Sequence, residues 1–462
     1  MDPLIGRFLK HAAMGLFTSY ALFGHTVLAE PLMVSAGDGH SCVLLSTGTI
    51  QCWGYNGSGQ LGDGTQTTRA TPVQVKGISD AIAVSAGKGH TCAALRNGTV
   101  QCWGSNASGG LGIGSNSYSS SVPETVSGIT TAVAVSAGYA SGCATLNNGQ
   151  VQCWGRSNLL GNGSRTDSSV PVLVSDINNA TAVTMSLGHA CAQLSTAAVQ
   201  CWGSNQAGQL GSEGPSSRTP ITANGINAPK SVAAGAAHTC ALFASGEVQC
   251  WGNNQAGQLG NGTTANSKIP VPVTGIDSAI SVSVGVAHSC AVLFGGAVRC
   301  WGDNHVGELG NGTITASTVP VPVTRISTAV SVTAGDQHTC AMLLSGALQC
   351  WGRDGSLGNG SSAGSRTPVI VVGFEMGATS VESDANKIFA WAERSFPMYF
   401  KSFARSSSFS VPGFRVRSYA FTHSHLGVSD TDSPRLYYSG PVSANAVVDL
   451  GPLSDWLIQV GP

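Results

Sequence analysis

Fourteen cysteines, and the histidines that stand just before them, are the residues of this 462-residue sequence best placed to do chemistry. The cysteines fall into seven pairs: Cys42 with Cys52, Cys92 with Cys102, Cys143 with Cys153, Cys191 with Cys201, Cys240 with Cys250, Cys290 with Cys300 and Cys340 with Cys350. Each pair is ten residues apart, and each second cysteine is followed by Trp-Gly. The C-x-x-C spacing of zinc and iron–sulfur sites is absent, so no metal is expected. An even number at one fixed spacing reads instead as seven local disulfides, one per pair. His40, His90, His189, His238, His288 and His338 sit two places before the first cysteine, with Ser141 in the third unit. Six imidazoles in a pseudo-symmetric ring could suggest a metal or a proton relay, but a ring of seven units would hold them too far apart for one ion. Each is expected to be structural, bonded to the backbone of its own unit. No G-x-S-x-G elbow, phosphate loop or H-E-x-x-H occurs, so neither catalytic residues nor a cofactor are expected.

The elements that must position these residues come from the repeat. Second cysteines at 52, 102, 153, 201, 250, 300 and 350 recur at a period near 50, which calls for a propeller or solenoid. A unit opens with an alternating strand such as Ala83-Val84-Ser85-Ala86 and a Gly-x-x-His turn, Gly87 to His90. A second strand starts at the first cysteine, a third carries Val100-Gln101-Cys102-Trp103-Gly104, and a Gly/Asn-rich loop leads to a Pro-led fourth such as Pro72 to Val75. If Cys92 lies opposite Cys102, the hairpin loop is Arg96-Asn97-Gly98, whose last residue must be left-handed, as Gly readily is. Gly48, Gly149, Gly246, Gly296 and Gly346 hold the matching positions, and only Ala197 departs. The seven tryptophans after cysteine should pack between units. Four antiparallel strands repeated seven times predict an all-β fold, a seven-bladed β-propeller.

Charged residues make up 10 % of the chain and the formal net charge is −1, which excludes the basic footprint of a nucleic-acid binder. Residues 1–29 read as an export signal: Arg7 and Lys10, an apolar run from Ala12 to Leu28, then Val27-Leu28-Ala29. Nothing else is apolar enough to span a membrane once that segment is cleaved. The propeller should occupy 30–379 and a small α+β C-terminal module 380–462. In that module a helix is expected over 383–397, strands at Phe414–Phe421, Leu426–Val428, Leu436–Ser439 and Ala446–Leu450, and a closing helix near Leu453–Ile458. His423 and His425 alternate onto one strand face near Asp430 and Asp432, an arrangement common on strand surfaces.

The recurring G-x-x-H-x-C, V-Q-C-W-G and N-x-x-G-Q-L-G segments, clearest from Gly235 to Gly262 and Gly285 to Gly312, resemble the regulator-of-chromosome-condensation repeat family. The resemblance covers residues 33–373 and implies a seven-bladed propeller. That family includes a nuclear guanine-nucleotide exchange factor and a secreted bacterial inhibitor of β-lactamases. This sequence departs from the first by its export signal, its cysteine pairs and its lack of a basic tail. The motifs it shares build blades, so no contact residue transfers. Trp391 to Val428 likewise resembles a tail module of secreted bacterial proteins.

Strand alternation puts the Gly-x-x-His turn and the long loop after Trp-Gly on one face, and the cysteine hairpin on the other. Residues there that break the blade symmetry are the candidate partner-binding set: Tyr55, Tyr139, Arg156, Asp303, His305, Asp336 and Arg353, with Asp38 and Lys88 beside them. Tyr and Arg commonly anchor interfaces. The expected function is an exported, monomeric, non-enzymatic scaffold for a protein partner, in the periplasm, on the cell surface or outside the cell. The alternatives are an enzyme on an envelope or extracellular polymer, and an exchange-factor-like effector on a small GTPase.

Overall fold

Each cysteine pair zips its hairpin as the spacing requires. In the computed structural model, which describes residues 29–115, 117–375, 419–422, 435–439 and 447–452, Cys92 lies directly opposite Cys102, and Ala94 opposite Val100. The Leu95 amide donates to Thr99 and the Gly98 amide back to Leu95, which leaves Arg96-Asn97-Gly98 as the loop. Gly98 takes φ +84°, where a Cβ would strike the Thr130 carbonyl. All seven expected disulfides are present, each closed within its own hairpin. Cys42 is bonded to Cys52, Cys92 to Cys102, Cys143 to Cys153 and Cys191 to Cys201. In the last three blades Cys240 is bonded to Cys250, Cys290 to Cys300 and Cys340 to Cys350. Their Cα separations of 4.0–4.1 Å suit the close, non-hydrogen-bonded pairs of an antiparallel ladder. Seven disulfides belong to an oxidising environment outside the cytosol.

The strands form seven four-stranded antiparallel sheets, each in chain order. Blade one comprises Pro31–Ala36, His40–Leu45, Ile50–Gly54 and Arg69–Gln74, and blade seven Ala329–Ala334, His338–Leu343, Leu348–Gly352 and Ser365–Ile370. First strands lie side by side around a central channel. Fourth strands are outermost and start earlier than expected, with the proline inside: Pro72 falls within Arg69–Gln74 and Pro368 within Ser365–Ile370. Proline is tolerated there because an edge strand has amides with no ladder partner, and its presence discourages pairing with other chains.

Among the described residues there is no single core. Seven apolar clusters each straddle two blades. Between blades one and two, for example, Leu44, Ile50, Leu61 and the bonded Cys42 and Cys52 pack against Val84, Ala93 and Trp103. The tryptophans sit between blades as expected. Each of these seven indole N–H groups donates to a carbonyl in the long loop of the preceding blade, as Trp103 does to Gln60 at 2.9 Å and Trp251 to Gln209 at 3.0 Å. The ring closes with the same contacts and without strand exchange: Val34, Val43 and Trp53 pack on Leu348, Leu357 and Phe374, and Trp53 Nε1 donates to the Ser356 carbonyl.

Further along, Tyr419–Thr422, Arg435–Ser439 and Val447–Pro452 form a three-stranded antiparallel sheet. The segment 1–28, the expected helices over 383–397 and 453–458, the strand Leu426–Val428, and His423, His425, Asp430 and Asp432 lie outside the described residues. Among the described residues no helix is long and apolar enough to cross a membrane.

Candidate functional site

The histidines are structural, but they serve the neighbouring blade and not their own as expected. His40 Nε2 meets Thr91 Oγ1 at 2.8 Å, His189 meets Thr239, His238 meets Ser289, His288 meets Thr339, and His338 closes the ring on Ser41 at 2.7 Å. Thr91, Thr239, Ser289 and Thr339 each spend their hydroxyl proton on a long-loop carbonyl. The paired imidazole must therefore donate from Nε2, which fixes a neutral tautomer. Burial holds these groups uncharged and pushes His40 and His238 down to about 3. His90, His189, His288 and His338 are pushed down to about 4 by the same cause.

His90 is the exception. The residue facing it across the blade boundary is Gly142, which has no hydroxyl, and a Cβ there would run into Trp154. His90 bonds instead to the Ser141 backbone, a contact that opposes the effect of burial. Its Nε2 is buried with no partner among the described residues.

The Gly-x-x-His turns and the long loops do share one face. The amides of Tyr55, Ser105 and Arg353 donate to the turn carbonyls of Gly39, Gly89 and Gln337. Within the turns, the second residue donates to a carbonyl of the next blade: Asp38 to Gly87, Lys88 to Gly138, Tyr139 to Ser186, and Asp336 to Gly37 at 3.0 Å across the seam. These bonds make a collar at the channel mouth. On one side it carries Asp336, Asp38, Lys88 and Tyr139; on the other, Leu187, Ala236 and Val286.

Beside the charged half lies a cavity of about 560 Å³, lined by Asp38, Tyr55, Lys88, His90, Tyr139 and Arg353 among others. Tyr55 is 56 % exposed. Lys88 Nζ lies 4.0 Å from Asp38 Oδ2 and 5.0 Å from the Tyr139 ring centre, and the Arg156 guanidinium lies 4.8 Å from the same centre. Asp336 adjoins Asp38 at the channel mouth. Burial, and then the hydrogen bond and charge of Asp38, push its carboxyl up to about 7, against the pull of Lys88 and Arg353. Tyr55, Tyr139, Arg156, Arg353 and Asp336 are thus gathered in the sector of blades seven, one, two and three.

Asp303 and His305 are not among the residues lining that cavity. They stand in blade six with Glu308, which sequence reasoning passed over although Gln60, Gln209 and Gln258 hold the equivalent position. His305 Nδ1 is 2.6 Å from Asp303 Oδ2 and 3.4 Å from Glu308 Oε1, and Nε2 is 3.0 Å from the Gln337 amide nitrogen. One donor atom from each of the three lies within 4.8 Å of the others, so this trio has the reach to hold a metal ion. The imidazole already bridges both carboxylates. His90 and the Asp38–Asp336 contact were also missed. For blade three there was a signal, because Ser141-Gly142 interrupts the His-Ser/Thr pattern and Ser157 replaces the loop asparagine seen as Asn56, Asn106, Asn205, Asn254 and Asn304.

A family model described as the RCC1-like domain matches residues 78–390, and one for the regulator of chromosome condensation (RCC1) repeat matches residues 47–94. Among solved structures, human WBSCR16 is similar with a TM-score of 0.62 and 21 % identity, over 69 % of this chain and 88 % of that one. Prp20p from Saccharomyces cerevisiae, described with its binding to Gsp1p and histones, gives 0.61 and 20 % identity over 77 % of this chain and 89 % of that one. Yeast RCC1 (Prp20) bound to Kap60 gives 0.61 and 20 % over 77 % and 87 %. These likenesses show the fold. No curated protein sequence matches this one.

Proposed function

The chain belongs to the family of RCC1-like domains, and from that premise we propose that it is an exported, non-enzymatic scaffold that binds a protein partner on the turn-and-loop face. The observation that carries this reading is the gathering of Tyr55, Tyr139 and Arg353 around one cavity, with Arg156 stacked on the Tyr139 ring. Blade building does not require it, since the other blades fold with Ser, Asn or Asp at the loop positions. Tyr and Arg supply large, rigid contact area with polar ends. The stacking of Lys88 and Arg156 on Tyr139 holds those side chains in place before a partner arrives, which lowers the ordering cost of binding. Asp303, His305 and Asp336 extend the same face. The yeast relative's binding to Gsp1p and histones supports a protein as partner. In this reading residues 1–29 direct export, 30–379 are the scaffold and 380–462 a separate module.

Affinity capture from culture supernatant and envelope extract, with the chain from residue 30 as bait, supplies the partner. Alanine at Tyr55, Tyr139, Arg156 and Arg353 together should then weaken binding well over tenfold with the melting temperature unchanged. Binding that survives those changes, and is lost on changing the hairpin-turn residues Arg96 and Asn147, would place the docking surface on the opposite face.

A further inference from the structure

We infer that Asp303, His305 and Glu308 form a site for a divalent transition-metal ion such as Zn²⁺, with Gln337 of blade seven as the group that orients the imidazole. The site stands apart from the cavity above and does not rest on the docking reading. Its basis is four departures from the blade pattern that meet at one boundary. Blade five has Asn253, Gln255 and Gln258 where blade six has the three ligands. The residue before each turn histidine, or before Ser141 in blade three, is Gly or Ala in six blades, and Gln337 alone carries a longer side chain. These four touch: His305 Nδ1 lies 2.6 Å from Asp303 Oδ2 and 3.4 Å from Glu308 Oε1, and its Nε2 lies 3.0 Å from the Gln337 amide nitrogen.

Blade five shows what the change does. There Gln258 Oε1 accepts the Ala256 amide, and its Nε2 donates to Asn253 Oδ1 at 2.6 Å. Glu308 Oε2 keeps the first bond, to the Val306 amide, but the place of the donor is now taken by an oxygen within reach of a second carboxylate. Glu308 is 1 % exposed, and a buried carboxylate must be paired or bound to a metal. Among the described residues no Lys or Arg lies within 4.0 Å of Asp303 or Glu308. Imidazole with carboxylates suits zinc, cobalt, nickel and copper, whereas magnesium and calcium prefer oxygen alone. Atoms bound tetrahedrally at zinc's bond lengths stand about 3.4 Å apart. Glu308 and His305 already meet that spacing, and the partly exposed Asp303 has to draw back by about 0.8 Å. The ion takes the place of the Nδ1 proton, which moves to Nε2. A half-turn of the Gln337 amide presents Oε1 to accept it, as the second N–H of a ligating histidine requires. Three protein ligands leave a fourth position for water. Every cysteine is in a disulfide and the six turn histidines are buried, which leaves His305 as the accessible imidazole among the described residues.

The test titrates the untagged chain from residue 30 with zinc chloride, magnesium chloride and calcium chloride by calorimetry, and follows the histidine side-chain ¹⁵N resonances. Zn²⁺ should bind at least tenfold more tightly than Mg²⁺ or Ca²⁺. Its affinity should fall at least tenfold in His305→Gln, Asp303→Asn and Glu308→Gln. Glu308→Gln restores the residue of blades one, four and five, so the variant should keep its melting temperature without the metal. The His305 resonances should show Nδ1 bound to the ion and Nε2 protonated. Gln337→Ala should weaken binding about tenfold and move the Nε2 resonance, while Gln337→Glu, which keeps an acceptor there, should restore the affinity. Changing His423 and His425 together to Gln should leave the His305-dependent binding as it was. Absence of Zn²⁺ binding, equal affinity for Mg²⁺, indifference to Glu308→Gln, coordination through Nε2, or loss of binding with His423 and His425 would overturn the inference. The docking reading is tested separately by the four alanines in the captured complex, none of which touches this trio.

Discussion

Lowering the pH should unfold this propeller through its buried histidines. The six imidazoles sit at about 3 or 4 in the fold, burial being the first cause in each, against 6.5 for an unburied histidine. In the four whose partner hydroxyl already donates to a loop carbonyl, Nε2 is spent as a donor to the neighbouring blade, so an added proton must go to Nδ1, which is buried and has no partner among the described residues. Because the folded values lie below the unfolded one, the unfolded chain binds more protons throughout the interval between them. The stabilisation is complete above pH 6.5 and is lost progressively as the pH falls toward 4. Each group costs about 1.4 kcal/mol per pH unit in that interval, and six titrating together cost about 8 kcal/mol per unit. That rivals the ~5–15 kcal/mol by which folded domains are stable. Asp336, pushed up to about 7, acts in the opposite sense as a single half-buried carboxyl. Urea unfolding at several pH values between 7.5 and 5, with the disulfides intact, gives the proton uptake directly from the pH slope of the unfolding free energy. About four protons net should be taken up between pH 6 and 5, about five by the histidines less about one released by Asp336, and His288→Gln should remove one of them. An uptake of one or two would refute the reasoning and mean that water reaches the imidazole ring.

Non-reducing peptide mapping should find every disulfide inside its own hairpin, and Cys42 joined to any residue but Cys52 would break the register. Replacing Cys92 and Cys102 together by alanine should lower the unfolding free energy by at most ~2–3 kcal/mol, because the chain-entropy model counts a loop that the hairpin already restrains. Ala197 stands at φ +71° where the other blades have glycine. Relief of that left-handed strain should make Ala197→Gly stabilising by about 1 kcal/mol in denaturant titration, while Gly98→Ala, which meets the Thr130 carbonyl, should cost more than that. Trp103→Phe should cost about 1–3 kcal/mol from lost packing and a lost indole bond, with Thr91 still donating to the same Gln60 carbonyl. A melting temperature unchanged in that variant would deny the tryptophan its role between blades.

What the chain determined locally could be read without coordinates. The ten-residue cysteine spacing, the glycine one place past its midpoint and the Trp-Gly that follows all act within a single hairpin, and together they set one register. The period near 50 then set the number of blades. Strand alternation even assigned the turns and the long loops to one face, because side and direction follow from counting antiparallel strands. The blade-to-blade contacts were a different matter. A histidine two places before a cysteine carries no mark of the partner it will meet, and its hydroxyl stands about 50 residues away in the next blade, or 297 away at the seam between His338 and Ser41. Asp38 and Asp336 meet only because the seventh blade packs on the first, and nothing in either neighbourhood foretells the raised carboxyl. Of the symmetry-breaking residues, Tyr55, Tyr139, Arg156 and Arg353 converge on one sector while Asp303 and His305 stand in another. That division follows from each blade's place in the ring. Hydrogen bonding and turn chemistry act between near neighbours in the chain and so leave a local trace in the sequence. Closure of the ring acts between its ends, and only the assembled propeller decides which lone pairs and charges are left to face a partner.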